Sequence, residues 1–394
     1  MATIKLALFL GAGFSKEADL PIMSEFAKYS VSELQSLKKK HGPSSNSPRE
    51  AASLLIDNGQ LFEDFRKYLK DQSTKSNISI NSFSADNMED LFTTAEMMYE
   101  CGIDEIKLNG QNKSLIEILH AIKLWLWKIY QRIPIHNPSR YGISIKPYET
   151  FIDTLNKYNL HNVSIITTNY DMILEYLFHK KGVQVCYPIS DNNFEFNDLC
   201  AQKLRIASGL SKIGESSPVL CKLHGSINYF SDKTDKSSTN RKLQIVADTA
   251  QCPIGKSRID PTAPSIMAVD SIYELTEKRK LIPEIIPPTY AKLQDFGWLR
   301  EIWRHAAESL ITAHKWIFIG YRFPSSDGFV KSLINLSLMR RRQGLPEIIA
   351  VAPDRNGETK KNYTNVFGEN RFCFEKMEFS NLVNSRRFGE LIGS

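Results

Sequence analysis

Short runs of hydrophobic residues alternate along this chain with segments in which the hydrophobic positions are spaced as in helices. The first run, residues 4–10, contains a single lysine and leads directly into a glycine turn and the start of a helix. Later apolar or β-branched runs occupy residues 163–168, 183–187, 219–223, 316–320 and 347–352. Short runs bounded by glycine or polar residues are typical of buried strands. The pattern therefore predicts a strand at each of these places.

Helical spacing dominates the chain between the first predicted strand and the second. Hydrophobic positions three or four residues apart are clearest at residues 88–99 and 114–132. Further helices are predicted at residues 32–40, 50–58, 60–70, 170–181, 327–342 and 380–391, and polar loops at residues 41–48 and 231–241. Strands that alternate with helices favour an α/β fold with a parallel sheet. We expect one domain over residues 1–394, with a helical insertion at 31–150 and the rest of the core and a C-terminal tail at 151–394.

Composition narrows the class of protein. The 394 residues are 42% hydrophobic and 24% charged, which suits a soluble globular protein. The net charge of +6 is too small for a dedicated nucleic-acid binder, and the basic runs at 38–40 and 340–342 lack interleaved aromatic residues. No apolar run is long enough to cross a membrane, and the six cysteines form no CxxC pair. We therefore expect a cytoplasmic protein that binds neither membranes nor, directly, nucleic acid.

The first candidate site is the glycine turn Gly11-Ala12-Gly13-Phe14-Ser15, in which Ser15 is expected to cap the helix that follows. Such a turn lets backbone N–H groups approach a phosphate, and the helix dipole favours its negative charge. The third glycine of the dinucleotide fingerprint is replaced by lysine. A tight turn without a ligand is therefore an equal alternative.

Two polar loops at later strand ends are the next candidates. Thr168, Asn169 and Asp171 follow the second predicted strand, at the edge where open α/β sheets bind ligands. Asn169 could fix a ribose hydroxyl or a water, and Asp171 could accept from an amide. Capping of the next helix is the alternative for this loop. His224 and Gly225 follow another strand, where imidazole could act as a base or be an ordinary hydrogen-bonded loop histidine.

Two more strand ends carry loops of the same kind. Gly320 ends a strand where the backbone can approach a ligand closely, and Ser325 or Ser326 is expected to cap the helix after it. Asp354 and Asn356 follow the next strand. Ordinary strand-to-helix turns are the alternative at both places.

The order of the five loops, GAGFS, TTNYD, KLHGS, GYRFPSSD and VAPDRN, resembles the sirtuin family in its broad bacterial branch. Residues 283–292 also look like a segment of that branch. Sirtuins that remove acyl groups carry a four-cysteine zinc module after the HG motif, whereas only Cys252 and Cys373 lie beyond Cys221 here. Their acidic-Phe-Arg stretch is replaced by residues 18–23. The chain is therefore more similar to the sirtuin-like NADases of bacterial anti-phage systems.

This resemblance implies a Rossmann-like, mostly parallel sheet and an NAD⁺ hydrolase without a metal. The enzyme would cleave the nicotinamide–ribose bond of NAD to nicotinamide and ADP-ribose, and would deplete NAD in abortive infection. Asn169 would place the water or the ribose, Asp171 would hold the nicotinamide amide, and His224 would contact the ribose hydroxyls and serve as base. The residues that would bind the cofactor are Gly11, Ala12, Gly13, Phe14, Ser15, Thr168, Gly225, Gly320, Asp354 and Asn356.

Two other functions stay open. One is a protein deacylase or ADP-ribosyltransferase, which needs a peptide groove beside the NAD site. The other is a non-catalytic scaffold subunit that binds NAD or ADP-ribose. The resemblance also implies a homo-oligomer and a companion defence protein, such as a HerA-like ATPase or, alternatively, a short Argonaute. The helical stretch 50–130 and the C-terminal tail are candidate contact surfaces, unless their apolar faces simply cover the sheet.

Overall fold

Strands and helices alternate through the chain in the computed structural model, which describes residues 5–22, 25–41, 49–75, 83–130, 144–183, 185–190, 194–197, 206–208, 217–232, 243–246, 276–277, 280–286, 297–324 and 327–393. The strands are β1 (Leu6–Leu10), β2 (Glu105–Leu108), β3 (Gln111–Ser114), β4 (Val163–Thr167), β5 (Val185–Tyr187), β6 (Phe194–Asn197), β7 (Ile206–Ser208), β8 (Val219–Lys222), β9 (Gly225–Asp232), β10 (Leu243–Val246), β11 (Leu281–Ile285), β12 (Lys315–Ile319), β13 (Glu347–Val351) and β14 (Cys373–Glu375). The helices are α1 (Ala12–Lys16), α2 (Phe26–His41), α3 (Arg49–Lys75), α4 (Met88–Glu100), α5 (Leu115–Tyr130), α6 (Lys146–Asn156), α7 (Ile173–Lys180), α8 (Gly297–Thr312), α9 (Gly328–Arg340), α10 (Glu358–Phe367), α11 (Phe379–Asn384) and α12 (Arg387–Gly393).

The main sheet has eight strands in the order β14-β13-β12-β1-β4-β8-β5-β7, and its described pairings are all parallel. β1 lies between β12 and β4, and every residue of these three strands is buried. Strands buried on both faces are expected to be apolar runs, which is why the sequence pattern located them. The predicted Rossmann-like α/β fold is confirmed, with each predicted strand within two residues of its expected bounds.

The carboxyl ends of the central strands all point to the same edge of the sheet. Leu10 pairs with Ile319 on one side and with Thr167 on the other, so the loops that follow these residues start side by side. Parallel strands with this arrangement bind ligands at the carboxyl edge. The predicted candidate loops therefore meet where the fold favours a site.

A second sheet was not predicted. It has the order β11-β9-β10-β6, and β9 pairs antiparallel with both β10 and β11. β9 extends to Asp232, so the loop predicted at residues 231–241 begins later than expected, and residues 233–242 lie outside the described part. Three polar residues of β9 interrupt the apolar pattern although they are buried and hydrogen-bonded: Ser226, Asn228 and Ser231.

The region predicted as a helical insertion, residues 31–150, also contains the hairpin β2–β3. The two helices expected at 50–58 and 60–70 are one continuous helix, α3, which runs through Gly59 without a break. A Cβ at this glycine would lie 2.8 Å from the ring of Trp125 on α5. Gly59 therefore lets two helices of the insertion pack closely.

The C-terminal region differs slightly from the prediction. The single helix expected at 380–391 is divided into α11 and α12, with Arg386 between them at φ +63°. In the basic run 340–342, the Arg341 guanidinium donates to the carbonyl oxygens of Leu310, Ile311 and Ala313 at the end of α8. Arg341 therefore caps a helix. Among the helices that the structure describes, none is both long and apolar enough to span a bilayer.

Candidate active site

A cleft of about 490 Å³ opens at the carboxyl edge of the main sheet. This volume lies in the range of small-molecule and cofactor sites. Strand-end loops and the segment after β1 supply Ala12, Gly13, Ser15, Lys16, Glu17, Pro21, Ile22, Thr168, Asn169, Tyr170, Asp171, His224, Gly320, Tyr321, Arg322, Pro324, Asp327, Val351 and Pro353. The helical insertion supplies Asn87, Glu89 and Tyr130, and the C-terminal region supplies Glu378 and Phe379.

The glycines of two loops bring the backbones into direct contact at the base of the cleft. The N–H of Gly13 donates to the backbone oxygen of Gly320 at 2.9 Å. The N–H of Gly11 donates to the backbone oxygen of Ile319 at 3.0 Å. A Cβ on Gly13 would lie 2.8 Å from the Cα of Gly320, and Gly320 itself has φ +66°. The glycines are thus explained by loop packing. The N–H groups of Gly11 and Gly13 already have acceptors within the protein.

Ser15 is not a helix cap, because it lies inside α1, whose N-cap is Gly11. Its Oγ donates to Oδ2 of Asp171 at 2.6 Å, a contact between residues 156 positions apart. Nδ2 of Asn169 donates to the same Oγ at 2.8 Å and to the oxygen of Gly11 at 2.9 Å. The first two candidate loops therefore form one hydrogen-bond network.

Asp171 lies two residues before α7 and caps the start of that helix. Its Oδ1 accepts from the N–H of Ile173 at 3.0 Å, while its Oδ2 accepts from Ser15. The capping role considered for this loop thus falls to Asp171. The backbone oxygen of Asp171 accepts a hydrogen bond from Lys222 Nζ.

A buried ion pair adjoins this network through Lys222, which also bonds the backbone of Asp171. Lys222 Nζ lies 2.9 Å from Glu175 Oε1, and each side chain is only 1% exposed. Glu175 also accepts from the hydroxyl of Tyr187 at 2.7 Å. Burial raises the pKa of Tyr187, with the charge of Glu175 as the next cause, so this hydroxyl stays protonated. The position of Lys222 in the KLHGS motif is the sequence feature that could have indicated its role.

His224 lies in the cleft with its side chain almost fully buried. Its backbone oxygen accepts from the N–H of Ile286 at 2.9 Å, which fixes the loop. Its Nε2 lies 3.6 Å from Oδ2 of Asp327 and has no hydrogen-bond partner among the described residues. Gly225 does not line the cleft. It has φ +79°, and a Cβ there would collide with the backbone oxygen of Glu284.

Besides Gly11 and Gly225, which do not line the cleft, three predicted cofactor-binding residues point elsewhere. Phe14 packs against Tyr148 and other aromatic rings in the core. Asp354 accepts from the N–H of Thr359 at 3.0 Å, near the start of α10. Asn356 is exposed and donates to the side chain of Glu358, also on α10. Ala12, Gly13, Ser15, Thr168, Asn169, Asp171, His224 and Gly320 do line the cleft.

Sequence reasoning missed Tyr130, Tyr321 and Asp327 in the cleft wall. Tyr130 donates to the oxygen of Pro21 at 2.9 Å. Nothing in the spacing of a helix in the insertion shows that its last residue reaches the sheet edge. Tyr321 and Asp327 stand in the GYRFPSSD motif, and their position after a strand could have indicated them. Ser325 and Ser326, considered as caps, lie outside the described residues.

The charges around the cleft have both signs. Lys16 and Arg322 line it together with the carboxylates of Glu17, Glu89 and Glu378. Within the described ranges, no group of three His, Cys, Asp or Glu side chains is arranged to hold a metal ion.

A parallel sheet with a ligand-sized cleft at its carboxyl edge defines a Rossmann-like α/β protein. Residues 163–373 match the SIR2-like domain, so this chain belongs to the SIR2-like family. Membership implies NAD-dependent function of the sirtuin type and confirms the resemblance at the level of the family.

Solved structures similar to this chain include Sir2Tm bound to a propionylated peptide, with 9% identity and a TM-score of 0.37 over 99% of this chain and 95% of that one. Another is SIR2 in complex with the inhibitor EX-527, 2′-O-acetyl-ADP-ribose and a deacetylated p53 peptide, with 10% identity and a TM-score of 0.37 over 98% and 94%. No curated protein matches the chain. The family assignment therefore rests on the sequence match.

Proposed function

We propose that the protein is an NAD⁺ hydrolase that splits the nicotinamide–ribose bond and releases nicotinamide and ADP-ribose. The observation that carries the proposal is the Ser15–Asn169–Asp171 network, which shares one cleft with His224. Family membership supports NAD as the substrate.

The cleft fits a dinucleotide in size, and its lining includes cationic side chains. Its volume of about 490 Å³ suits a ligand of this class. Lys16 and Arg322 line it beside the paired glycine loops, and cationic side chains of these types bind phosphate oxygens strongly. Ala12 and Gly320 line the same wall. Because neither has a bulky side chain, a ligand can approach the backbone there. We therefore assign the pyrophosphate to this end of the cleft.

The orientation of Asn169 determines what it offers to substrate. Both hydrogens of its amide are donated inside the protein, to Gly11 and to Ser15. Only the carbonyl oxygen Oδ1 is left, and this atom is an acceptor. It would accept a hydrogen bond from the attacking water or from a ribose hydroxyl. Positioning of this kind removes much of the entropic barrier to attack.

The reaction balances without another reactant. The C–N bond breaks with its electron pair going to the nicotinamide nitrogen, which becomes neutral, and the ribose passes through an oxocarbenium-like state. Water adds hydroxide to C1′, and His224 accepts the remaining proton. The Asp171 carboxylate would accept from the nicotinamide amide. Carboxylates at the cleft favour the positive charge that develops on the ribose.

The test is NAD consumption by the purified full-length protein, with products separated by chromatography. We expect nicotinamide and ADP-ribose from the wild type, and a loss of about 10²–10⁴-fold in His224→Ala, because a positioned base contributes about that much. Asn169→Ala is expected to lose turnover as well. His314→Ala is the matched control, because that histidine is exposed at the amino end of β12, away from the cleft.

Turnover that survives in both cleft variants would contradict the assignment. Nicotinamide release that depends on an acylated peptide would favour a deacylase or an ADP-ribosyltransferase. Binding of NAD without turnover would favour a scaffold.

We further propose that the protein acts in the bacterial cytoplasm, in abortive infection, as a homo-oligomer with a HerA-like ATPase. A short Argonaute is the alternative companion. The loop motifs that resemble anti-phage NADases support this assignment. Native mass spectrometry of the chain with each candidate, together with the NAD assay, tests it. A chain that stays monomeric and responds to neither companion contradicts it.

A further inference from the structure

Three buried side chains from two strand ends meet at the wall of the cleft. His224 follows β8, whereas Tyr321 and Asp327 follow β12. The hydroxyl of Tyr321 donates to Oδ2 of Asp327 at 2.5 Å, and Nε2 of His224 lies 3.6 Å from the same oxygen. Asp327 is 3% exposed and His224 is 5% exposed. This carboxylate therefore faces the imidazole with little solvent between them.

Both Asp327 and His224 have a buried polar atom that lacks a partner among the described residues. These atoms are Oδ1 of Asp327 and Nε2 of His224. Buried polar atoms are nearly always hydrogen-bonded, and a buried carboxylate without enough donors is costly. Tyr321 has one hydroxyl hydrogen, so it satisfies only part of the carboxylate. An N–H donor from the imidazole would give the carboxylate a second hydrogen bond and would give Nε2 a partner.

Tyr321 is built to remain a donor. Burial raises its pKa, and the charge of Asp327 raises it further. Its backbone oxygen accepts from the hydroxyl of Tyr363 at 3.0 Å, which ties the loop to α10. Tyr321 thus holds the Asp327 carboxylate through Oδ2, the oxygen that lies 3.6 Å from Nε2 of His224.

We propose that Asp327 is a positioning residue that accepts a hydrogen bond from Nε2–H of His224 and thereby selects the tautomer of the ring. A neutral imidazole has one donor and one acceptor nitrogen, so Nε2–H leaves Nδ1 as the base. The identity of His224 as the base rests on the proposed function. In this proposal, rotation of the ring closes the gap of 3.6 Å in the free protein.

The charge of Asp327 would also assist the proton transfer from the attacking water to His224. When Nδ1 takes the proton from the attacking water, the ring becomes an imidazolium. The adjacent carboxylate stabilises that cation without accepting the proton, as an acid beside a catalytic histidine does in hydrolases. Asp327 therefore acts on the reaction through His224 and need not contact NAD.

The experiment is nitrogen NMR of the full-length protein with ¹⁵N-labelled histidine, in which His224→Gln identifies the resonances of His224. In the wild type we expect the neutral ring to carry its proton on Nε2, with a downfield proton resonance typical of a bond to a carboxylate. Asp327→Asn is expected to weaken that resonance and to raise the share of the Nδ1–H tautomer. Glu347→Gln is the matched control, since Glu347 pairs with Lys315 at the opposite edge of the sheet.

Kinetics provide the second measurement. Asp327→Asn is expected to lower kcat by at least about tenfold with little change in KM, because it disturbs the base rather than the binding of NAD. A wild-type ring with its proton on Nδ1, or no downfield Nε2–H resonance, overturns the proposal even if the variant does not fold. An Asp327→Asn spectrum and kcat equal to those of the wild type overturn it too. The spectrum decides without any NAD turnover, so failure here is distinct from failure of the proposed hydrolase.

Discussion

Asn169 has a single possible orientation, because both of its amide hydrogens are already used. They go to the oxygen of Gly11 and to Oγ of Ser15, which in turn donates to Asp171. In this series of linked hydrogen bonds, each bond fixes the donor and acceptor direction of the next one. The acceptor character of Oδ1 is thus set by three residues from two loops before any ligand arrives.

The loops after β1 and β12 pack so closely at Gly320 that there is no room for a side chain at this position. In Gly320→Ala, a Cβ would lie 2.5 Å from the backbone nitrogen of Phe14, in addition to the strain of φ +66°. We expect a loss in the free energy of unfolding clearly above the 1–3 kcal/mol or so typical of strain alone. Denaturant unfolding of the purified variant measures it.

Gly344→Ala is the matched control for this substitution. Gly344 also has a left-handed backbone, at φ +80°, but a Cβ there would meet nothing within 4 Å. This variant should lose only the strain component. Equal losses at the two positions would show that the loops are not in close contact.

Which loop residues face the cleft was only partly predictable. Strand-end position correctly placed Asn169, Asp171 and His224 at one edge, because parallel strands share their carboxyl ends. The same rule could not separate these residues from Asp354 and Asn356, which serve the start of a helix instead. The direction of a side chain in a loop depends on local hydrogen bonds that periodicity does not encode.

At the scale of elements, the buried pair between Lys222 and Glu175 joins β8 to α7. Lys222→Met is expected to cost about 3–5 kcal/mol, because it leaves Glu175 as an uncompensated buried charge. Changing Glu175 to Met in the same chain should recover part of that loss. A double-mutant cycle followed by denaturant unfolding measures the coupling.

The exposed pair of Lys180 and Glu149, 2.6 Å apart on α7 and α6, is the control for this cycle. Lys180→Met should cost less than about 1 kcal/mol, since solvent screens that pair. Additive losses at Lys222 and Glu175 would contradict the coupling.

Elements were predicted well where burial is uniform and apolar, as in β1 and β12. β9 was missed because it is buried while carrying polar residues. Asn228 donates to Tyr187, and Ser231 donates to Glu284. Such pairs are visible only once the partner strand is known. Gly59 suggested a helix break in the sequence. The contact that explains this glycine is with Trp125, which is far away in sequence, so the sequence pattern could not show it.

At the scale of the whole molecule, the helical insertion is tied both to the second sheet and to the wall of the cleft. Lys123 on α5 pairs with Glu284 on β11 at 3.2 Å, and Tyr130 at the end of α5 donates to Pro21. A partner that binds these helices would therefore act on the cleft wall directly. The bounds of the insertion at residues 31–150 and the single-domain organisation stay predictions.

The stability of the whole molecule is expected to fall with acidification through His305 on α8. Burial, assisted by the charge of Arg304, lowers the pKa of His305 to about 4, against about 6.5 in the unfolded chain. Between these values the unfolded chain binds the proton and the folded protein does not, so acid favours unfolding. The effect is fully absent above about pH 6.5 and reaches at most about 3 kcal/mol near pH 4.

Comparing His305→Gln with the wild type isolates this contribution. The free energy of unfolding of the variant should fall less steeply between pH 6.5 and 4.5. Parallel curves for the two proteins would show that His305 does not titrate differently in the folded state.

The strand order has a consequence for how the protein is made. β1 is synthesised before both of its neighbours in the sheet, β4 and β12, and Gly13 can meet Gly320 only after residue 320 has been added. A nascent chain that has passed His224 already holds Asn169, yet it lacks the second glycine loop and Asp327. The cleft therefore stays incomplete on the ribosome at least until residue 327 has been added.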